Sequence, residues 1–284
     1  MNIAVASGKG GTGKTTVATN LVQAAAASEK RVVYIDCDVE EPNGHIFLKP
    51  EIDVSAPAVM QYPVIDEEAC ISCGKCAEIC QYKAIVMIAE KPLVFPEMCH
   101  DCGGCFLVCP AEAVTLTDRS IGVVEQGHAD AVDFVHGRLD IGQVMSPPLI
   151  RAVKRHKPDD DTIVVVDSPP GTSCPVIESV RGADFAVLVT EPTPFGLHDL
   201  TLAVEMLEEL DIPYGVFINR ADIGTDETRL YCEKRCIPVL AMLPDDRRIA
   251  EAYSRGEIIY GSIPKYETVF NTLLLDITKR VNRQ

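Results

Sequence analysis

The chain has 284 residues, 47% of them hydrophobic, and a formal net charge of −16. That length supports one large domain, or a medium domain plus a small one, and no apolar run approaches the roughly 18–20 residues that cross a bilayer. The acidic balance argues against a nucleic-acid partner, which asks for a basic face.

The N-terminal MNIAVASGKG reads directly as a strand and a loop. It lacks a charged n-region, an apolar h-region and a cleavage site, so no signal peptide is expected. Twelve cysteines without an export signal point to a reducing, cytoplasmic setting. There, dense cysteine usage means metal or catalysis more often than disulfides.

In chain order, IAVAS (3–7) is an expected strand, KTTVATNLVQAAAA (14–27) a helix and RVVYID (31–36) a strand. The same texture returns with TIVVVDSPP (162–170), FAVLVTEP (185–192), YGVFINR (214–220) and IPVLAMLP (237–244) as strands. Between them, 197–210 carries Leu197, Leu200, Ala203, Val204, Leu207 and Leu210 on one helical face. The strands are nearly continuous apolar runs, as expected when both faces are covered. The alternation predicts an α/β fold, a mostly parallel sheet wrapped by helices. The basic runs RAVKRHK (151–157) and TKRVNR (278–283) fall near expected helix ends, where cations favour the dipole.

Residues 8–15, GKGGTGKT, satisfy G-x-x-x-x-G-K-[ST] between an expected strand and an expected helix. Gly8, Gly10, Gly11 and Gly13 let backbone N–H groups close around phosphate oxygens, and the helix N-terminus adds positive potential. Lys14 would neutralise the β- and γ-phosphates of ATP, and Thr15 would ligate Mg²⁺. Lys9, Thr12 and Thr16 complete the expected nucleotide-binding set.

Residues 64–118 break the texture. Cysteines stand at 70, 73, 76, 80, 99, 102, 105 and 109, each of the second set 29 residues after its counterpart. CAEICQYKAIVM and CFLVCPAEAVTL repeat as well, so the segment is an internal duplication. The runs C-x2-C-x2-C-x3-C and C-x2-C-x2-C-x3-C-P follow the bacterial two-cluster ferredoxin spacing, in which the fourth cysteine serves the other cluster. Cys70, Cys73 and Cys76 are then expected to join Cys109 on one 4Fe–4S cluster, and Cys99, Cys102 and Cys105 to join Cys80 on the second. Zinc usually takes paired C-x2-C knuckles, which the doubled run of four disfavours. Gln81 follows Cys80 where proline often stands. The alternating texture resumes after Asp118, with IGVVEQ and AVDFV as short strands. An insert at 64–118 therefore divides an α/β domain into 1–63 and 119–284.

KGGTGKTT, with its extra Lys9, resembles the deviant Walker A ATPases, which include MinD-type ATPases, the nitrogenase iron protein and Mrp-type iron–sulfur scaffolds. The resemblance covers the whole α/β portion and implies a P-loop NTPase-type fold. It implies an ATP-dependent homodimer in which Lys9 reaches the partner's phosphates. YIDCDVEEPN resembles switch I, with Asp36 near magnesium and Asp38 placed to orient or deprotonate the attacking water. TIVVVDSPPGTS resembles Walker B and switch II, with Asp167 holding the magnesium shell. Asn219 and the Pro244–Asp245 turn match the family's adenine contacts. With the insert, the whole pattern resembles MinD-superfamily ATPases that contain a two-cluster ferredoxin domain.

Four cysteines lie outside that pattern. Cys37 falls within switch I, and Cys232 and Cys236 read as one packed thiol and one incidental one. Cys174 resembles a position of the nitrogenase iron protein's bridging cluster, but the second cysteine such a site needs is missing. Three roles follow: ATP-gated electron transfer to a redox partner, iron–sulfur or metal-cofactor carriage, or MinD/ParA-like positioning. For the last, the apolar residues at 270, 273, 274, 277 and 281 fit a membrane-binding helix and a core-facing one equally.

Overall fold

The computed structural model describes residues 1–158 and 162–283. The chain begins with β1 (Asn2–Ala6), α1 (Lys14–Ala26), β2 (Val32–Asp36) and the short α2 (Gly44–Leu48). A long strand β3 (Glu51–Ile65) leads into the cysteine-rich segment. That segment holds α3 (Lys75–Ile79), the hairpin β4 (Ile85–Ile88) and β5 (Lys91–Val94), and α4 (Gly104–Leu107). The chain returns through β6 (Val114–Ala129), β7 (Val132–Leu139), α5 (Pro147–Lys154) and β8 (Ile163–Asp167). It continues with α6 (Cys174–Val180), β9 (Phe185–Thr190), α7 (Pro194–Glu209), β10 (Tyr214–Ile218), α8 (Glu227–Lys234) and β11 (Val239–Met242). The end is helical, with α9 (Arg247–Ser254), α10 (Ile259–Ser262) and α11 (Pro264–Val281).

Among the described residues, nine strands form one sheet in the order β11-β10-β9-β1-β8-β2-β7-β6-β3. From β11 to β7 every pairing is parallel. The central strands are buried end to end, as their apolar sequences require. The mostly parallel α/β sheet expected from the sequence is therefore present.

The far edge differs from expectation. IGVVEQ and AVDFV are not short strands but parts of the long antiparallel β6 and of β7. β3, not among the strands expected above although Ile52, Val54, Ala56, Ala58, Met60, Tyr62 and Val64 alternate along it, pairs with β6 from Glu51↔His128 to Ile65↔Val114. Its Pro57 and Pro63 are tolerated because β3 is the edge strand, with one side free of partners. Residues 66–113 thus hang from the end of a two-stranded ribbon, and both expected insert boundaries, 64 and 118, fall inside it.

α11 turns Tyr266, Phe270, Leu273, Leu274 and Ile277 into the core that α1 also lines. Its apolar face is covered by this chain. The basic run 151–157 reaches beyond its own helix: Lys154 Nζ donates to the carbonyls of Glu178, Ser179 and Arg181 at 2.7–2.8 Å, capping α6.

Candidate nucleotide site and cysteine cavities

The loop between β1 and α1 is built from close approaches. Gly13, at φ +94°, is the left-handed residue from which α1 starts. Gly8 passes the backbone of α7, where a Cβ would stand 2.1 Å from Asp199 O. Lys14 is the first residue of α1 and is nearly buried. The free N–H groups of that first turn make an anion site.

A cleft of about 460 Å³ opens against this loop. Gly10, Gly11, Gly13, Lys14, Thr15 and Thr16 line one side, with Asn219, Arg220, Pro244 and Asp245 opposite. Asp38 and Glu41 enter after β2, Pro170 after β8, and Ile249, Ala250 and Tyr253 from α9. Gly8, Lys9, Thr12, Asp36 and Asp167 lie outside this lining. Asn219 does more than face the cleft, since its Nδ2 donates to Thr12 O at 2.9 Å. Lys9 Nζ stands 3.7 Å from Glu191 Oε2, and Arg220 Nη1 donates to the other oxygen at 3.0 Å.

Asp36 and Asp167 end the adjacent parallel strands β2 and β8 as direct register partners. Asp36 is fully buried, and burial, then the neighbouring Asp167, holds its carboxyl well above the usual range. Its two oxygens accept the N–H groups of Asp38 at 3.0 Å and Gly44 at 2.9 Å. Asp36 thus closes both ends of the loop 37–43, and in the magnesium role expected for it these oxygens would be shared with the two N–H groups.

Asp167 is 1% exposed, and burial raises its pKa while Lys14 and Thr15 pull it down. Its Oδ2 accepts the Tyr34 hydroxyl at 3.0 Å, and its Oδ1 is buried without a hydrogen-bond partner. An orphaned buried carboxylate oxygen fits a divalent cation or its water shell. Burial, opposed by Lys14, pushes Asp38 up to about 6. No local pattern singles out Tyr34, because its contact with Asp167 depends on which strand lies beside β2.

The eight patterned cysteines separate into two cavities. One, a small cavity of about 20 Å³, is lined by Cys70, Cys73, Cys76 and Cys109 with Ile65, Met87 and Pro92. The other, also about 20 Å³, is lined by Cys80, Cys99, Cys102 and Cys105 with Tyr82, Ile85 and His100. The duplication is also written in the backbone. Ser72 and Asp101, Gly74 and Gly103, and Lys83 and Glu112 all have positive φ, each pair at the 29-residue offset. Among the described residues no three His, Cys, Asp or Glu side chains converge on one metal ion. Four thiols gathered at each cavity, in the spacing of two-cluster ferredoxins, suit a cluster better than a single ion.

The Cys80/Cys99 cavity abuts the main domain. Cys99 and Ala84 share a buried core with Val33, Ile35 and Cys37 of the β2 region and with Leu149, Ile150 and Val153 of α5. At the N-terminus of α5, Ser146 Oγ donates to Glu40 Oε1 at 2.9 Å. α5 therefore touches the loop after β2, the helix after β8, and the core beneath Cys99. Of the remaining thiols, Cys37 and Cys232 are buried, and Cys174 and Cys236 exposed.

Residues 3–259 match the CobQ/CobB/MinD/ParA nucleotide binding domain. An uncharacterised protein of Methanocaldococcus jannaschii is 33% identical over 227 residues, 78% of each chain. An iron-sulfur cluster carrier protein of Pyrococcus furiosus is 25% identical, over 92% of this chain and 80% of its own. The fold is similar to the septum site-determining protein MinD of Pyrococcus horikoshii complexed with Mg-ADP, with TM-score 0.60 and 21% identity over 98% and 96% of the two chains. The chain thus belongs to the CobQ/CobB/MinD/ParA nucleotide-binding domain family.

Proposed function

We propose that this ATPase carries two 4Fe–4S clusters in residues 66–113 and uses ATP to gate electron transfer through them to a partner protein. The carrying observation is the partition of eight cysteines into two apolar cavities, each taking three from one half of the duplication and one from the other. Bound there, the clusters supply one-electron redox chemistry.

The remaining parts are this chain's own. The P-loop and Lys14 bind the nucleotide phosphates, Thr15 and Asp167 hold Mg²⁺, and Asp38 handles the attacking water. Lys9, about a third exposed on Glu191, is free to leave for the phosphates of a second copy. α5 supports a gating role because it contacts both the loop carrying Asp38 and the core under Cys99.

A second reading is cluster carriage. It is favoured by the relatives named iron-sulfur cluster carrier proteins. Fully ligated clusters in apolar cavities favour the redox reading over it.

Anaerobic purification with iron and sulfide counts tests the first claim, and about eight irons per chain are expected. Zinc, or no iron after anaerobic reconstitution, would sink it. EPR spectra with and without ATP, together with iron counts after incubation with an apo-acceptor, separate the roles. Redox coupling leaves iron in place and makes the spectrum nucleotide-dependent. Lys14→Ala that abolishes hydrolysis yet leaves partner reduction unchanged would end the coupling idea.

A further inference from the structure

Tyr34 is unused by any reading above, yet its hydroxyl lies where two nucleotide-sensing loops meet. The side chain is fully buried on β2, its ring stacked on Phe134 with centroids 5.7 Å apart and planes at 15°. Its hydroxyl donates to Asp167 Oδ2 at 3.0 Å. The other oxygen, Oδ1, is the orphan. Gly44 closes over the same hydroxyl, where a Cβ would stand 2.3 Å from Tyr34 Oη. Gly44 is itself held by Asp36 Oδ2. One phenol therefore touches the acid that ends β8 and the residue where the loop after β2 rejoins a helix.

We infer that Tyr34 is a positioning residue for the ATPase reaction: it ties one oxygen of Asp167 and leaves the other to face the magnesium shell. A carboxylate with two free oxygens can rotate, and each rotation spoils the alignment of a metal-bound water. A buried phenol donor locks that rotation without reorganising, the task that outer-shell partners perform at metal sites. With Asp167 ionised, as holding a cation requires, the bond is charge-assisted and stronger than one to a neutral acceptor. The opposing view is a core tyrosine that has merely found an acceptor. The closure of Gly44 and the orphaned Oδ1 argue against it, since such a tyrosine needs neither. The inference holds whether or not the cysteines carry clusters.

The test is Tyr34→Phe in the full chain, which removes the hydroxyl and keeps the ring. Mn²⁺ binding to the ADP complex is titrated through the EPR signal of free Mn²⁺. ADP affinity in EDTA, the ATPase KM and kcat, and the thermal midpoint are measured alongside. Mn²⁺ affinity should fall about tenfold and kcat should fall with it, while ADP binding in EDTA stays unchanged. In an Asp167→Asn background, Tyr34→Phe should have no further effect on nucleotide affinity in Mg²⁺. Unchanged Mn²⁺ affinity, with or without a lower midpoint, overturns the inference. Should Tyr34→Phe not fold, Phe134→Leu, which frees the ring but keeps the hydroxyl, is titrated instead. Weaker Mn²⁺ binding there supports the inference, and unchanged binding overturns it.

Discussion

The side-chain amide of Asn219 donates to the carbonyl oxygen of Thr12 at 2.9 Å, tying the end of β10 to the turn that delivers Lys14. The contact joins residues 207 positions apart, and it leaves the Asn219 side chain at the wall of the cleft. Asn219→Ala strands a carbonyl beside a buried threonine, a loss of about 1–3 kcal/mol. We expect roughly tenfold weaker ADP binding and a lower thermal midpoint. Unchanged ADP affinity would show that the P-loop holds its shape without the bond.

The crossing of the fourth cysteines is open to a paired test. Cys80 and Cys99 line one cavity, whereas Cys70 and Cys109 line the other. Cys80→Ser with Cys99→Ser should leave about four irons, because only one cluster is damaged. Cys70→Ser with Cys80→Ser should strike both and leave few. If each run of four instead built its own cluster, the two iron counts would exchange.

Asp38 gives a pH dependence with a defined sign. Burial pushes its carboxyl up to about 6 in the free protein. Above that value it is a carboxylate able to accept a proton, and below it is not. The ATPase kcat/KM, which reports the free enzyme, should rise through about pH 6 and fall about tenfold per unit below it. Stability runs the other way: a folded pKa raised above the unfolded value near 3.9 means that this group favours the folded state increasingly as pH falls from about 6 to about 4. Asp38→Asn should remove both trends. A rate profile flat between pH 5 and 8 would exclude Asp38 as the base.

Thiol labelling should divide the four cysteines outside the cavities. Burial pushes Cys232 up to about 11, and Cys37 is fully buried. Cys174 and Cys236 are exposed. In cluster-loaded protein at pH 8, iodoacetamide should modify Cys174 and Cys236 first, read by peptide mass spectrometry. Cys37 and Cys232 should react only on unfolding. Early labelling of Cys232 would mean that the edge formed by α8 and β11 opens in solution.

Leu273 tests what the last helix does. It is fully buried against the core shared with α1. Leu273→Ala should cost about 2–5 kcal/mol, measured by urea denaturation. Wild-type protein with ATP should remain in the supernatant when liposomes are sedimented, because the apolar face of α11 is occupied. Co-sedimentation of the wild type would show that the helix can leave the core.

Much of the site is legible in the sequence because its chemistry is local. Gly13 needs a left-handed backbone at one point, Lys14 and Thr15 follow it directly, and Cys70, Cys73 and Cys76 sit within one turn-and-helix unit. The 29-residue repeat even foreshadows the paired positive φ values of Gly74 and Gly103. Asp36 shows where such reading stops. Its strand-end position suggests a metal, and its oxygens also accept the N–H groups of Asp38 and Gly44, backbone donors that only the folded loop supplies.

The sequence by itself determined the nucleotide loop, the parallel α/β order and the grouping of cysteines, since each rests on spacing and conformation within a few residues. Tertiary structure decided the rest. It made proline-bearing β3 a strand by placing it at an edge opposite β6. It brought Tyr34 to Asp167, 133 residues away, because β2 and β8 are neighbours in the sheet. It also set α5 between the loop after β2, the helix after β8 and the core beneath Cys99. Strand neighbours and shared cores arise from how the whole chain buries its apolar surface, and no local pattern encodes them.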